Sequence, residues 1–469
     1  MGELIDLGVV DAVAALERRE VSSRELVSAC LERIAEVDGP HSHDGDPGSI
    51  NAWVRVYEED ALAAADAADA VRATGADVPP LLGVPVGLKD LYGVAGRPVT
   101  ASSAVLEDVP DEDCDVWRRL SAAGMVLIGH LHTHEFAAGG TTDQVGNPWD
   151  LSRTAGGSSG GSSAALAARM VPAATGTDTA GSLRIPSACA GTSAIKATRN
   201  LVSTQGVVPL SWSLDHAGPM ARTLADCRAL LTAMVGPDRG RAESALHATG
   251  GPVPASPSLA GLRIAVSPRV ATSPFPPDAD VTGGYERAVA ACRELGATVV
   301  EVPAPAVGDD PDDFLDVLTT DMLAYHRRFD DRRDRYRRAL RGWLESGEQR
   351  GLSGEGYAAA QARRRDTTAA WMDWLDEHEL DAVIEPTIPT VAPERGSGYE
   401  EAGSDVAMIS LTSFWNWTGF PVVALPSGLG ESTGLPVSVS LIGRPGADWA
   451  LLDQGTALQA VLGVPLPPV

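Results

Sequence analysis

Three stretches of this chain carry side chains that could make and break an acyl bond. Gly156-Gly157-Ser158-Ser159-Gly160-Gly161 is a loop of small residues ahead of an Ala-rich segment. Small residues let the backbone approach a ligand closely and adopt positive φ. Gly176-Thr177-Asp178-Thr179-Ala180-Gly181-Ser182 is a second such loop. Backbone N–H groups at a turn of this kind can converge on an anion, and a developing oxyanion is one. Ser182 closes the turn, where a nucleophile would be needed. A serine hydroxyl requires a base, and neither loop contains His. Lysine can serve only when neutral, so its reference pKa of about 10.4 must fall by roughly 3 to match neutral pH. Lys89 ends the apolar run LLGVPVGL (81–88), a place where burial could supply that shift. On these residues alone, a Ser-Lys site is one reading among several.

Two other arrangements compete. His130, His132 and His134 would share one face of a strand, as the ligands of a metal-dependent amidohydrolase would. The stretch is not HExxH, because Ala138 occupies the second His position. The Gly-Ser loop also satisfies G-x-S-x-G, with Ser158 or Ser159 central, the pattern of an α/β-hydrolase elbow with a downstream Asp and His. His326 and His378 lie in helical surroundings with no supporting motif.

The elements that must position these residues can be read from periodicity. Residues 5–37 read as helix, with Ser22 and Glu25 matching a capping box and Leu26, Cys30, Leu31 and Ile34 on one stripe. A turn-rich loop at 39–50 precedes a second, Ala-rich helix at 57–74. Residues 81–90 are β-prone, 114–123 helical, and 125–129 a short strand. SAALAARM after the Gly-Ser loop reads as a closely packed helix. Residues 171–191 read as strand, Gly-rich turn and helix start. Residues 236–258 look like a surface connection. LRIAV (262–266), a helix around 282–294 and ATVVEV (297–302) suggest a β-α-β unit. Residues 312–379 are strongly helical, and RRFDDRRDRYRR (327–338) reads as a solvated, ion-paired helix. Buried strands are expected at 381–389, 422–426 and 437–443. Strands and helices interleave to the end, so one α/β unit over 1–469 is expected, with 312–379 a helical cap.

The chain's 469 residues are 44% hydrophobic, enough for a large core, and 21% charged, which argues against wholesale disorder. A net charge of −26 repels phosphate backbones, so nucleic acid is not an expected partner. The five Cys are scattered with no CxxC pair and read as buried thiols of a reduced compartment. The N-terminus has no basic region before an apolar run, and no stretch approaches the ~18 apolar residues of a membrane span. A cytoplasmic protein without membrane attachment is the expectation.

The stretch 81–222 resembles the amidase signature family. Gly83-Val84-Pro85-Val86-Gly87-Leu88-Lys89-Asp90 is similar to its lysine motif. Gly156 through Ser162 resembles its Gly-Ser signature, and Gly176 through Pro186 its nucleophile motif. Asn147-Pro148-Trp149, the run Ser213 through Pro219, and the tail Gly434 through Pro445 match further. The resemblance implies the fold: a large mixed, twisted β-sheet sandwiched between layers of α-helices. It also implies roles. Ser182 would be the acyl-forming nucleophile. Ser158, on a cis peptide bond, would bridge it to neutral Lys89. The backbone N–H groups of Thr179, Ala180, Gly181 and Ser182 would form the oxyanion hole. Ser159, Asp178 and Arg184 would hold the two loops in register. Two departures stand out: Ala180 replaces a usual Gly, and Ala197 a usual Pro.

The reaction so implied is hydrolysis of a carboxylic amide to acid plus amine or ammonia, with no cofactor and no metal. The partner is a small-molecule amide, and a homodimer is left open. The histidine stretch would lie beside the substrate pocket, where Thr133 and Trp415 are candidate lining residues. The alternative within the same fold is the glutaminase-type component of a tRNA-dependent amidotransferase, which needs partner proteins. Glutamine would require charges for its α-carboxylate and α-amine. The aromatic run Ser413-Phe414-Trp415-Asn416-Trp417 and Trp212 suggest instead an apolar or aryl group, although core packing would also account for the Trp residues.

Overall fold

The computed structural model describes residues 2–75, 77–238, 240, 255–307, 311–396, 398–399 and 406–469. Among the described residues, eleven strands form one sheet. In spatial order they are Trp53–Val56, Val126–Leu131, Pro85–Lys89, Ala173–Asp178, His216–Ala221, Ser193–Lys196, Val422–Leu429, Pro436–Ile442, Ala382–Pro386, Arg263–Val266 and Thr298–Glu301. Pro85–Lys89 runs parallel to both its neighbours, whereas Ala173–Asp178 pairs antiparallel with His216–Ala221. The sheet is therefore mixed, as expected.

Period-two alternation explains why helices cover both faces. Ile264, Ala382, Ile384, Val423, Leu425, Val439 and Leu441 point into one core, against helices Val9–Glu17, Leu224–Met234, Ala279–Glu294 and Asp448–Leu462. Their sequence neighbours Ala265, Val383, Val422 and Ile442 point the other way, into a core with Trp371, Trp374, Phe414, Trp415 and Phe420. Helices Ser23–Val37, Glu58–Ala73 and Gly160–Ala167 pack on the opposite half of the sheet. Ala61, Ala65 and Ala68 give the second of these its thin buried stripe.

The expected helix over 5–37 is broken. Helices Gly2–Asp6, Val9–Glu17 and Ser23–Val37 replace it, and Arg19 takes a positive φ between the last two. The capping box at Ser22 and Glu25 is present. Most of the 236–258 connection lies outside the described residues. The segment 312–379 is also subdivided: helices Pro311–His326, Arg338–Gln349 and Gly354–Glu377 surround a 3-10 stretch, Arg327–Arg335. The break has an aromatic cause. Phe329 and Tyr336 turn inward against Phe136, Tyr325 and His326 and cannot remain on a solvated helix face. Ion pairs such as Arg333 with Glu348 at 2.7 Å remain on the outside. Leu340, Leu344 and Phe314 from these helices share a core with Leu91, Ala101, Leu210, Leu214 and Trp417, and we call the helices the cap.

Candidate active site

Lys89 ends a strand whose five residues are all buried. Val86 and Leu88 face one core, and the Lys89 side chain turns toward the Gly-Ser loop. Its Nζ lies 2.8 Å from Ser158 Oγ, 2.9 Å from Ser159 Oγ and 2.8 Å from Thr177 Oγ1. Three hydroxyls thus surround the amine, and none is a carboxylate. Burial holds the Lys89 pKa well below that of a free lysine, against the opposing pull of the Asp215 and Asp178 charges. A neutral amine can accept a hydrogen bond from one hydroxyl while donating to the other two, which is the state a general base requires.

The Ser158 loop connects the hairpin strand Asp150–Thr154 to helix Gly160–Ala167. The Gly157–Ser158 peptide bond is cis. The Ser158 carbonyl accepts from the His134 N–H at 2.9 Å and from Thr142 Oγ1 at 3.1 Å. Gly161 is required for close approach: a Cβ there would meet the Ala52 carbonyl at 2.6 Å and the His132 backbone.

Strand Ala173–Asp178 delivers the second loop, and helix Arg184–Ala190 follows it. Gly181 adopts φ +141°, and a side chain there would collide with Thr412. Among the described residues, no hydrogen bond uses the backbone N–H of Thr179, Ala180, Gly181 or Ser182. Four consecutive donors therefore remain available at the turn. Ser182 is 5% exposed while Lys89 and Ser158 are fully buried, so Ser182 is the member of the trio that reaches solvent.

A buried ion pair pins the turn from below. Arg184 donates to both Asp178 oxygens, at 2.9 and 3.0 Å, and to Asn416 Oδ1 at 2.6 Å. Asn416 Nδ2 returns two bonds of 2.8 Å to the Asp178 carbonyl and carboxylate. Burial alone would raise the Asp178 pKa, but the Arg184 charge and hydrogen bonds hold it below the usual carboxylate range. On the other side, Thr179 Oγ1 donates to Asp215 Oδ1 at 2.6 Å. Ala180 is half-buried against the cap core, and its carbonyl accepts from Thr412 Oγ1. The extra methyl thus packs toward the cap. Ala197, the second departure, is buried in the core beside Lys196, whose Nζ donates to the Phe420 carbonyl at 2.6 Å.

Two cavities matter for the site, and one of them touches the second loop at Thr177. One, of about 410 Å³, is lined by Thr177, Gly206, Trp212 and Asp215 among others. The second, of about 480 Å³, is lined largely by apolar residues, including Phe275, Phe314, Leu315, Ile409, Phe414 and Trp417, with Arg269 at its wall. Ala180 of the turn packs in the same hydrophobic cluster as Phe314, Leu315 and Trp417 of its lining.

The sequence matches the amidase family over residues 25–452, nearly the whole chain. The chain belongs to the amidase family. Its enzyme class is therefore that of a C–N hydrolase, and a Ser-Ser-Lys triad with an acyl-enzyme fits the family. The A component of glutamyl-tRNA(Gln) amidotransferase from Myxococcus xanthus (strain DK1622) is 35% identical to this amidase over 488 residues, covering 96% of both chains. Among solved structures, 6-aminohexanoate cyclic dimer hydrolase matches at TM-score 0.84 and 26% identity, covering 99% of both chains. The corresponding glutamyl-tRNA(Gln) amidotransferase component from Thermotoga maritima matches at TM-score 0.78 and 26% identity, with 99% of this chain and 98% of that one covered.

Other residues singled out from the sequence fall in varied places. The three histidines of the amidase bind different partners. His130 lies between Tyr57 OH at 2.8 Å and the Tyr92 carbonyl at 3.1 Å. His132 contacts Ser102 Oγ at 3.0 Å, and His134 the Thr141 carbonyl at 2.8 Å. Burial lowers all three pKa values, to about 3 for His132 and His134. Among the described residues, no three His, Cys, Asp or Glu side chains gather as metal ligands would. Thr133 is buried, with its N–H on Ser102 Oγ at 3.1 Å. Trp415 is fully buried, and its indole N–H donates to Glu385 at 2.5 Å. Three residues within the quoted stretches, assigned no role from the sequence, also stand out: Thr177 as a partner of Lys89, Asn416 as the link between Asp178 and Arg184, and Asp215 as the support of Thr179. Among the described residues, no helix is long and apolar enough to cross a membrane.

Proposed function

We propose that this amidase hydrolyses small amides with apolar acyl groups, aryl or alkyl, through an acyl-enzyme on Ser182. The observation that carries the reading is the buried Lys89 amine at hydrogen-bond distance from Ser158, beside a turn with four unused N–H donors. Neutral Lys89 takes a proton from Ser158, which takes one from Ser182 as its Oγ attacks the carbonyl. The N–H groups of Thr179, Ala180, Gly181 and Ser182 receive the oxyanion, where each such donor is worth roughly 2.7–4 kcal/mol. The proton returns by the same route to the leaving amine, and the relay then activates water for deacylation. Ser159, Asp178 and Arg184 keep the loops in register. In this reading residues 1–469 form one amidase domain, and the cap overlies the site.

The apolar cavity of about 480 Å³ supports the substrate class. Its described lining residues include no carboxylate for the α-ammonium group of glutamine, whereas Asp215 and Asp238 line the other cavity. The second reading, an amidotransferase component working with partner proteins, is favoured by the 35% identity to such components. A panel of amides with mass-spectrometric readout, glutamine included, separates the two. Turnover of aryl or alkyl amides, abolished in Ser182→Ala together with fluorophosphonate labelling, is expected. Ammonia release from glutamine alone, or co-purification with partner proteins, would move the assignment to the second reading. Retained labelling of Ser182→Ala would remove the nucleophile.

A further inference from the structure

Asp321 lies on cap helix Pro311–His326 and is 7% exposed. Its Oδ2 accepts three hydrogen bonds from one loop: Ser211 Oγ at 2.6 Å, Ser213 Oγ at 3.0 Å and Ser213 N–H at 3.2 Å. Tyr357 OH, from the neighbouring cap helix, reaches the other oxygen at 3.2 Å. The same loop is gripped at its far end by Asp215. The Ser211 N–H donates to both Asp215 oxygens, at 3.1 and 3.2 Å, and the Leu210 N–H to Oδ2 at 3.0 Å. Asp215 Oδ1 accepts from Thr179 Oγ1 at 2.6 Å. A continuous path of short polar contacts therefore leads from the cap to the first residue of the turn.

The loop also has a face on open space. Trp212, between the two serines held by Asp321, is 45% exposed and lines the cavity of about 410 Å³ with Thr177 and Asp215. Its ring packs edge-on against Tyr325 of the same cap helix, with centroids 6.2 Å apart. Arg364 of the cap adds a second tie, to the Ser213 carbonyl at 3.0 Å and the Asn416 carbonyl at 3.0 Å. Asn416 is the residue that braces Asp178 and Arg184. The cap thus holds the turn from both sides.

We infer that Asp321 is a positioning residue for the reaction, acting through Ser211, Ser213 and Asp215 to set Thr179 and the N–H donors that follow it. This inference rests on the reading of Ser182 as nucleophile and of the turn as oxyanion hole. Its physical basis is the steep dependence of such donors on distance: they must lie within a few tenths of an ångström of the developing charge. Asp321 itself touches no reacting atom. An asparagine in its place offers one acceptor oxygen instead of two. Its amide group would then face either the Ser213 N–H and serine hydroxyls or the Tyr357 hydroxyl.

The test uses the full-length protein and a fluorophosphonate probe, which reports acylation without a known substrate. In Asp321→Asn, the labelling rate at saturating probe should fall roughly 10–100-fold, while the half-saturating probe concentration stays within about twofold. Ser211→Ala, which removes one of the three donors, should give a smaller loss of the same kind and guards against misfolding of the first variant. Tyr357→Phe removes the contact to the other oxygen and should leave the saturated rate within about twofold. A normal saturated rate in both Asp321→Asn and Ser211→Ala overturns the inference. So does an effect confined to the half-saturating concentration, or an equal loss in Tyr357→Phe, which would indicate cap stability alone. Failure of the underlying reading is distinguished by Ser182→Ala: retained labelling there removes the nucleophile, whatever the Asp321 variants do.

Discussion

Lys89 Nζ lies 2.8 Å from Ser158 Oγ, and both side chains are wholly shielded from solvent. The two facts together lower the pKa of the amine. A lysine with only hydroxyl partners has no carboxylate within hydrogen-bond reach to offset the loss of water, so desolvation prevails over the more distant Asp215 and Asp178 charges and lowers its pKa. If Lys89 is the base, as proposed, it is prepared by the fold rather than by a neighbouring acid.

This has consequences for both activity and stability in Lys89→Met. Loss of the base should lower the hydrolysis rate by roughly 10²–10⁴-fold at pH 7. Stability should rise, because Met does not have to discard a proton on folding. Between the lowered folded pKa of Lys89 and the free value of about 10.4, the unfolded chain binds a proton that the folded chain does not. Stability of the parent therefore climbs with pH across that window. The variant's advantage should be largest below it and should shrink as pH rises toward 10. Urea titrations at pH 6, 7.5 and 9 measure this. An advantage unchanged between pH 6 and pH 9 would mean that Lys89 is charged in the folded protein as well as in the unfolded chain.

Arg184 and Asp178 form the converse case, a buried pair in which both groups are ionised. Arg184→Met leaves the Asp178 charge with Asn416 and the Leu183 N–H alone. Removing one partner of such a pair costs about 3–5 kcal/mol. In the parent, Arg184 holds the Asp178 pKa low, so the pair's contribution is present above about pH 4 and is lost as pH falls through the folded value. Without Arg184, burial raises that pKa instead, and stability must fall as pH rises through the carboxylate range. The deficit of Arg184→Met should accordingly be larger at pH 7.5 than at pH 4.5. Asp178→Asn/Arg184→Met should recover part of it, because no unpaired charge remains. Denaturation of the two variants at both pH values tests the sign.

Much of this site was legible in the sequence because its parts are local. Lys89 ends an apolar run, and both Gly-rich loops announce tight turns without any tertiary information. The capping box at Ser22 and Glu25 is equally local, and it is present. What could not be read is what distant segments bring. Thr177 sits inside a quoted motif, yet only the pairing of two strands puts its hydroxyl on Lys89. Asn416 braces Asp178, and Asp321 grips the loop at Ser211 and Ser213, from far along the chain, and nothing in the sequence marks either of them for that role. The break at 327–338 was hidden for the same reason. The charge pattern describes a solvated helix, and only the aromatic cluster around Phe136 shows why Phe329 and Tyr336 must leave it.

Trp415 and Trp417 show how one aromatic run can serve two purposes. They lie on the short helix Ser413–Thr418, yet their rings face different surroundings. Trp415 packs against Trp371, Phe414 and Phe420, with its N–H on the buried Glu385. Trp417 packs against Phe314 and lines the apolar cavity. Trp415→Phe leaves a buried carboxylate oxygen without its donor, which should cost about 1–3 kcal/mol in unfolding free energy. Its kcat/KM should stay within about twofold of the parent, since no cavity wall has moved. Trp417→Leu should do the opposite for an aryl amide. It removes contact area from the proposed acyl pocket, raising KM several-fold, with roughly 1–3 kcal/mol at stake for a lost apolar contact. Side-by-side kinetics and melting curves separate the two residues. A raised KM in Trp415→Phe at unchanged stability would place that ring, rather than its neighbour, against the substrate.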